Sequence, residues 1–256
     1  MNITTESQFG DLAPYYDELM HMVPYEQWVE YVMVLFGFVE HTPHNVLDCA
    51  CGTGNVTLEL AKNHLKVTGV DLSQPMIEVA QQKAAKLATP LPVRFLQADL
   101  TAFDLGETFD SATCLYDSLN YILEPNALQS AFGCIASHVE PNGVFVFDMN
   151  SEYALQADLF SQRNYDPRQA LHYDWRASYD PPTRVCSVEM KFERNQPDGS
   201  QQVFYEMHRE RAYSLAEIET MLHATGWQLL NVFDAYTLNR PHGRSERWFF
   251  VARRVK

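Results

Sequence analysis

The fold is decided by the stretch Asn45-Val-Leu-Asp-Cys-Ala-Cys-Gly-Thr-Gly-Asn-Val-Thr-Leu-Glu-Leu-Ala-Lys-Asn63. It begins with a short apolar run that ends at Asp48, passes through small residues to Gly52 and Gly54, and continues with apolar residues at helical spacing. This pattern predicts a buried strand, a tight glycine turn and a helix, which together open a nucleotide-binding βαβ unit. Glycine permits backbone angles that other residues avoid, and the free N–H groups at a helix start point into the same space.

A second predicted strand, residues 66–71, ends in a carboxylate at Asp71. Asp71 lies 17 residues beyond Gly54, since 71 − 54 = 17. In a βαβ nucleotide site an acid at about this distance accepts hydrogen bonds from the ribose hydroxyls. The sequence therefore predicts a ligand with an adenosine-type ribose that carries no 2′-phosphate.

Two details distinguish the ligand from a dinucleotide. Thr57 stands where the third glycine of the dinucleotide fingerprint would be, and Asp48 places a carboxylate at the mouth of the glycine loop. A carboxylate there would repel a pyrophosphate but would attract a ligand with an ammonium and a sulfonium. S-adenosylmethionine is such a ligand.

Three motifs in sequence order resemble those of class I S-adenosylmethionine-dependent methyltransferases. Residues 48–54 are similar to the first motif, with Ala50 where glycine is commoner, and residues 69–76 are similar to the second. Residues 95–99 resemble the third motif, in which the acid pairs with the adenine amino group. The resemblance implies an α/β fold, a Rossmann-like seven-stranded sheet with helices on both faces, and S-adenosyl-L-methionine as the cofactor.

The resemblance also implies a cofactor site without a metal ion. Its expected members are Tyr16, Asp48, Ala50, Gly52, Gly54, Asp71, Leu72, Met76, Ala98, Asp99, Leu100 and Leu115. Tyr16 belongs to a Phe-x-x-x-Ala-x-x-Tyr-Asp segment at residues 9–17, which in the family folds over the cofactor. We therefore expect Tyr16 to act as a lid residue.

The chain is expected to form a single methyltransferase domain over residues 1–256. Residues 1–40 would form a helical lid, and residues 41–150 and 213–256 the cofactor-binding core. Two late strands at residues 227–235 and 247–253 predict the antiparallel hairpin that distinguishes a methyltransferase sheet from a dehydrogenase sheet.

The alternation of helix and strand stops between the two parts of this core. Residues 151–212 carry three runs of β-type composition, and Asp198-Gly199 between the last two predicts a hairpin turn. We expect an inserted antiparallel sheet that builds the acceptor pocket, or alternatively packs its aromatic residues into its own core or a dimer interface. Those residues are Tyr173, Trp175, Tyr179, Phe192, Phe204 and Tyr205.

Composition limits the partners of the 256-residue chain. The net charge is −14, so long nucleic acid is disfavoured as a partner. No stretch approaches the roughly 20 apolar residues that span a bilayer, so a membrane partner is not expected. The five cysteines form no Cys-x-x-Cys pair, which favours small buried thiols and a reducing compartment, the cytoplasm.

Methyl transfer from a sulfonium is an in-line displacement, to which a protein mainly contributes alignment worth about 7–11 kcal/mol. A general base is needed only where the acceptor must lose a proton. The candidates are Asp117 and His208, with Glu206 ranked below them. On a strand, His208 shares a face with Glu206 and Glu210. The structural alternatives are a helix cap for Asp117 and a surface or packing role for His208.

The acceptor stays open at this point. A small molecule with a nitrogen or oxygen acceptor is the first hypothesis, and an RNA-modifying methyltransferase is the second. A cofactor-binding regulatory protein without catalysis is the third. A second copy of the chain, giving a homodimer, also remains open as a partner.

Overall fold

The computed structural model describes residues 8–166, 168–195 and 199–255. The α-helices within these residues are α1 (Tyr16–Leu19), α2 (Tyr25–Phe38), α3 (Asn55–Lys62), α4 (Gln74–Ala85), α5 (Pro125–His138), α6 (Glu152–Gln156) and α7 (Leu215–Ala224). Short 3-10 helices cover Ala13–Tyr15 and Ser118–Tyr121. The strands are β1 (Asn45–Cys49), β2 (Lys66–Asp71), β3 (Val93–Gln97), β4 (Phe109–Cys114), β5 (Val139–Asn150), β6 (Gln162–Asn164), β7 (Leu171–Asp180), β8 (Val185–Asn195), β9 (Gln201–Arg211), β10 (Trp227–Asp234) and β11 (Arg247–Arg254).

The main sheet has seven strands in the order β10-β11-β5-β4-β1-β2-β3. The strands from β5 to β3 are parallel to their neighbours, whereas β11 runs antiparallel to both β5 and β10. The predicted Rossmann-like sheet is therefore confirmed, together with the late antiparallel hairpin. The predicted fifth strand, at residues 143–148, is longer at both ends, because β4 pairs with β5 at Val139 and β11 pairs with it as far as Asn150.

Strand β5 shows how the sequence builds two cores, one on each face of the sheet. Phe145 and Phe147 pack into the cluster that contains Phe132 of α5, and α7 covers the same face. Val144 and Val146, which alternate with them, pack into the cluster beneath α2 and α3. Each such side chain contributes about 1.5–3 kcal/mol on full burial, so a run that is apolar at every position fits a strand covered on both faces.

A second sheet, with strand order β6-β7-β8-β9 and antiparallel neighbours throughout, follows β5 in the chain. This confirms the inserted antiparallel sheet. Its first elements, α6 and β6, were not predicted, because runs of five and three residues carry too little periodicity. The predicted Asp198-Gly199 turn falls partly on residue 198, which lies outside the described residues; β8 and β9 on either side pair with each other.

The second sheet shares one hydrophobic cluster with the N-terminal segment. Leu12 is buried there with Leu171, Phe192 and Phe204. The N-terminal segment and the insertion are therefore packed against each other. None of the helices in the described part of the chain is both long and apolar enough to cross a membrane.

Candidate functional site

One cavity of about 860 Å³ extends from the carboxyl ends of β1, β2 and β4 to the inserted sheet. The carboxyl end of a parallel sheet is where ligands bind in open α/β folds. The structure brings most of the predicted site residues together here. Those that line the cavity are Tyr16, Asp48, Ala50, Gly52, Asp71, Leu72, Met76, Asp99, Leu100, Leu115, Asp117 and His208.

The glycine turn between β1 and α3 explains why small residues occupy it. Gly54 has φ +80°, and a Cβ there would lie 2.7 Å from the Phe95 ring, so a glycine is needed for packing. Gly54 is not among the described residues that line the cavity. A Cβ on Gly52, at φ +54°, would meet no described atom within 4 Å. Ala50 also takes a left-handed angle, φ +52°, which costs a residue with a Cβ about 1–2 kcal/mol.

Asp71 at the end of β2 ties the turn to its neighbouring strand. Its two carboxylate oxygens accept the backbone N–H groups of Gly52 and Ser73, each at 2.8 Å. Burial raises the pKa of this carboxyl above its usual range, and the two N–H donors oppose that shift. Each oxygen retains a lone pair for a further donor. The predicted site residue Ala98 stabilises the end of β2, since its backbone N–H donates to the carbonyl oxygen of Asp71 at 2.9 Å.

Asp48 lines the cavity. The sequence predicts a free carboxylate at the mouth of the glycine loop, but the structure does not show one. The side chain is 1% exposed, and its oxygens accept the hydroxyls of Thr57 at 2.5 Å and Thr113 at 2.8 Å. Burial raises the pKa of Asp48 to about 6. Thr57, in the place of the third glycine, is thus a hydrogen-bond partner of the first motif.

The N-terminal segment is bound to the glycine turn directly after Tyr16. Asp17 accepts hydrogen bonds from the Thr53 hydroxyl at 2.7 Å and the Asn55 amide at 3.0 Å, and it pairs with Lys83 at 2.8 Å. Burial alone would raise the pKa of Asp17, but these donors lower it overall. The contacts place the Tyr16 side chain at the cavity wall.

Asp117 stands in a strained turn at the carboxyl end of β4. Tyr116 and Asp117 both have positive φ, +68° and +52°, and both donate their N–H groups to Asp148, at 2.7 and 3.0 Å. Arg247 pairs with Asp117 at 2.6 Å and also with Asp148. Asp117 precedes a 3-10 helix, but its side chain makes no cap hydrogen bond to the described residues. The helix-cap alternative, in which the Asp117 side chain caps the helix, is therefore wrong. Strained backbone such as the two consecutive left-handed residues here clusters at functional sites.

His208 lies on β9 with both ring nitrogens engaged. Its Nε2 is 2.6 Å from Glu206 Oε2, and its Nδ1 is 3.1 Å from the Tyr121 hydroxyl. The predicted shared face is confirmed, because Glu206, His208 and Glu210 are all buried. A surface role for His208 is wrong, since it is 2% exposed.

The aromatic residues of the insertion divide between two roles. Trp175 lines the cavity, beside the apolar Val188 and Met190. Phe192 and Phe204 stack at 4.8 Å in the core of the second sheet. The insertion therefore supplies side chains to the cavity wall and also has a core of its own. That it builds the acceptor pocket stays a prediction.

Sequence reasoning missed Arg247 and Asp148 as cavity or turn residues. The signal for Arg247 was topological, because the first residue of an antiparallel β11 must lie beside the last residue of β5, and Arg247 does pair with Asn150. Asp148 ends the predicted fifth strand and so lies at the ligand edge of the sheet. The contact of Tyr121 with His208 was not predicted, because Tyr121 stands in a 3-10 turn whose course the sequence does not specify.

Comparison with known proteins agrees with this geometry. Residues 46–143 match a methyltransferase domain family. Over 252 residues the chain is 33% identical to a putative methyltransferase, YqeM, of Bacillus subtilis, covering 97% of this chain and 98% of the relative. The chain belongs to the S-adenosylmethionine-dependent methyltransferases. A crystal structure of an S-adenosylmethionine-dependent methyltransferase from Clostridium acetobutylicum is also similar, with TM-score 0.83 and 29% identity over 96% of this chain and 98% of that one.

The methyltransferase also resembles an enzyme with a more specific name. It is 31% identical over 142 residues to a dTDP-3-amino-3,6-dideoxy-alpha-D-glucopyranose N,N-dimethyltransferase of Streptomyces fradiae. This match covers 54% of the present chain and 53% of that relative. Among the described residues, no group of three or more His, Cys, Asp or Glu side chains is arranged to hold a metal ion.

Proposed function

We propose that this methyltransferase transfers the methyl group of S-adenosylmethionine to a nitrogen or oxygen atom of a small molecule. The observation that carries the proposal is the cavity, which runs without interruption from the cofactor motifs to Trp175, Val188 and Met190 of the inserted sheet. Its volume of about 860 Å³ lies within the range of roughly 300–1,000 Å³ that is common for small-ligand sites. A wall of inserted strands favours an enclosed acceptor over a polymer that must lie in an open groove.

The residues at the motif end fit the cofactor. Asp71 retains lone pairs for the ribose hydroxyls, and the space beside Gly52 is open to a ligand. Met76 and Leu100 supply apolar wall, and Asp99 lies at the exposed rim, where we assign it to the adenine amino group. The cofactor supplies a methyl group activated by positively charged sulfur. The task of this chain is to hold it, exclude water and align the acceptor.

The acceptor end carries polar groups in fixed positions. Asp117 is committed to its ion pair with Arg247, so we assign it to holding a polar group of the acceptor rather than to taking up a proton. Glu210, which also lines the cavity, accepts a hydrogen bond from Asn150 at 2.8 Å. Burial and the neighbouring Asp117 charge raise the pKa of Glu210 well above its usual range. A carboxyl group with a raised pKa and a paired carboxylate offer hydrogen bonds to an acceptor that carries amine or hydroxyl groups.

The charge of the chain bears on the RNA alternative. A net charge of −14 provides no general attraction for a polyanion, and the Arg247 guanidinium in the cavity is already paired with Asp117 and Asp148. The similarity to an amino-sugar N,N-dimethyltransferase points the same way, towards small amines as the first acceptors to test.

Methyl transfer from S-adenosylmethionine with a radiolabelled methyl group tests the proposal. The purified protein would be given pools of small amines, amino sugars and hydroxyl compounds, and in parallel a bacterial small-molecule extract and total RNA. We expect label in a small-molecule product. Label that enters only RNA would establish the RNA alternative. Cofactor binding without transfer to any of these pools would favour a non-catalytic role.

A further inference from the structure

Three side chains from two distant parts of the chain form one hydrogen-bonded row beside the acceptor end of the cavity. Tyr121, in the 3-10 helix after β4, contacts His208 Nδ1 through its hydroxyl at 3.1 Å. His208 Nε2 contacts Glu206 Oε2 at 2.6 Å. Tyr121 and His208 line the cavity, and Glu206 lies buried behind them.

The direction of each hydrogen bond in this row follows from the partners of Glu206. Its carboxylate accepts the backbone N–H groups of Phe9 and Leu12, each at 3.0 Å, and a carboxylate has no proton to give. His208 must therefore donate through Nε2–H. A neutral imidazole with its proton on Nε2 has a lone pair on Nδ1, so the Tyr121 hydroxyl donates to that nitrogen.

Tyr121 is placed to act as a neutral hydroxyl. Burial raises its pKa well above the usual range, and the nearby charges of Glu210 and Asp117 add to that shift. The phenol thus keeps its proton near neutral pH and donates a hydrogen bond to His208 Nδ1. Its oxygen retains lone pairs, and the ring lies in the cavity wall.

We propose that Tyr121 is the catalytic residue that receives the proton of the acceptor, and that His208 and Glu206 are positioning residues that draw the proton of the phenol away. This assignment rests on the proposed function. The acceptor lone pair forms the bond to the methyl carbon, and the carbon–sulfur bond breaks with its electrons remaining on sulfur. The N–H or O–H proton of the acceptor passes to the Tyr121 oxygen while the Tyr121 proton passes to His208 Nδ1. The resulting imidazolium is held by Glu206 until the proton leaves to water.

The N-terminal segment completes the row. Besides the two backbone bonds to Glu206, the Phe9 ring packs edge-on against the His208 ring with centroids 4.5 Å apart. Among the described residues, the titratable groups hydrogen-bonded to His208 are Glu206 from its own strand and Tyr121 from the 3-10 helix, and Glu210 is buried on the same face of β9. Phe9 and Leu12 hold the Glu206 carboxylate in the orientation that fixes the imidazole.

Nitrogen NMR of the full-length protein can measure the tautomer and the hydrogen bonds of His208 without an acceptor. Protein with ¹⁵N-labelled histidine would be saturated with S-adenosylhomocysteine, and His208→Gln would identify the His208 signals. We expect the Nε2–H tautomer, with Nδ1 hydrogen-bonded. Tyr121→Phe should move the Nδ1 resonance to that of a nitrogen without a donor, whereas the matched control Tyr205→Phe, at an exposed site on the strand that carries His208, should not. An Nδ1–H tautomer in the unaltered protein, or no response to Tyr121→Phe, would overturn the proposal.

Kinetics with the first acceptor that is methylated supply the second readout. Tyr121→Phe should lower kcat by about 10²–10⁴-fold with little change in the KM for S-adenosylmethionine. Glu206→Gln should also lower kcat with little change in the KM for S-adenosylmethionine, because the imidazolium loses a neighbouring negative charge, while Glu189→Gln at an exposed site should leave kcat unchanged. Full kcat in Tyr121→Phe would refute the relay. An unaltered enzyme that methylates no small molecule would count against the proposed function, and the NMR result would still decide the relay.

Discussion

The guanidinium of Arg247 donates to the carboxylate of Asp117 at 2.6 Å, although the two residues lie 130 positions apart. The same guanidinium pairs with Asp148, which accepts the N–H groups of Tyr116 and Asp117. One cation from the last strand thus holds two buried carboxylates and, through them, a turn with two left-handed residues. The antiparallel β11 thus stabilises the end of the cavity that we propose for the acceptor.

Replacing Arg247 should be strongly destabilising. Arg247→Met leaves Asp117 and Asp148 buried without their cation, and breaking a buried pair on one side costs about 3–5 kcal/mol. Urea denaturation followed by circular dichroism measures the change in the free energy of unfolding. Arg244→Gln, at an exposed position three residues earlier, is the matched control and should change it by less than about 0.5 kcal/mol. A loss below about 1 kcal/mol in Arg247→Met would mean that the ion pair does not hold the turn.

Ala50→Gly should stabilise the protein slightly. Ala50 sits at φ +52°, where a Cβ costs about 1–2 kcal/mol, while glycine costs roughly 0.5–1 kcal/mol in lost chain entropy. The expected gain is thus at most about 1.5 kcal/mol in the free energy of unfolding, measured in urea. Ala216→Gly in the exposed first turn of α7 is the control and should lose about 0.5–1 kcal/mol. Equal losses in both variants would show that the left-handed angle at Ala50 carries no strain.

The sequence predicted the main sheet well, because local patterns specify it. The glycine turn, the carboxylate that ends β2 and the apolar run of β5 each depend on residues close in the chain. The site was harder to predict where it depends on contacts between distant residues. Arg247 meets Asp117 only because β11 runs back beside β5, and Glu206 meets the N–H groups of Phe9 and Leu12 across more than 190 residues.

Asp48 shows a different limit of sequence reasoning. The sequence predicts Asp48 at the end of β1, but the hydroxyls that donate hydrogen bonds to its carboxyl group come from Thr57 in α3 and Thr113 in β4. A motif specifies that a carboxylate is present. The partners that decide whether it is exposed or buried follow from packing, which the linear pattern does not contain.

Asp71→Asn should weaken cofactor binding. We propose that the Asp71 carboxylate holds the ribose, and hydrogen bonds to a charged group contribute about 1.5–3 kcal/mol, of which 1.4 kcal/mol is a factor of ten. The dissociation constant for S-adenosylhomocysteine, measured by calorimetry, should therefore rise at least tenfold. An unchanged constant would place the ribose elsewhere.

Asp110→Asn is the matched control for that experiment. Asp110 likewise accepts two backbone N–H groups, those of His44 and Asn45, but at the amino end of β4, away from the cavity. Both variants should lose some stability in urea, because both weaken hydrogen bonds to the backbone. Asp71→Asn alone should lose affinity for the cofactor product. If both lost affinity equally, the effect would come from the fold and not from the site.

Asp48→Asn should become more stable relative to the unaltered protein as the pH rises. The pKa of Asp48 is raised by burial from 3.8 to about 6. For an acid whose folded pKa is raised, the stabilisation is complete below the unfolded value and is lost as the pH rises through the folded value. One pKa unit corresponds to 1.36 kcal/mol, so ionised Asp48 costs the fold roughly 3 kcal/mol, of which about 2 kcal/mol appears between pH 4.5 and pH 8.

Urea denaturation at pH 4.5 and pH 8, without cofactor, measures this difference. Asparagine keeps the shape of the side chain, and the Thr57 and Thr113 hydroxyls can rotate to accept its amide protons, so the quantity to compare is the change between the two pH values. Relative to the unaltered protein, Asp48→Asn should gain about 2 kcal/mol on going from pH 4.5 to pH 8. Asp104→Asn, whose side chain is 89% exposed, should show the same effect at both values. A gain of the same size in Asp104→Asn, or none in Asp48→Asn, would mean that Asp48 is charged in the folded protein at no cost to stability.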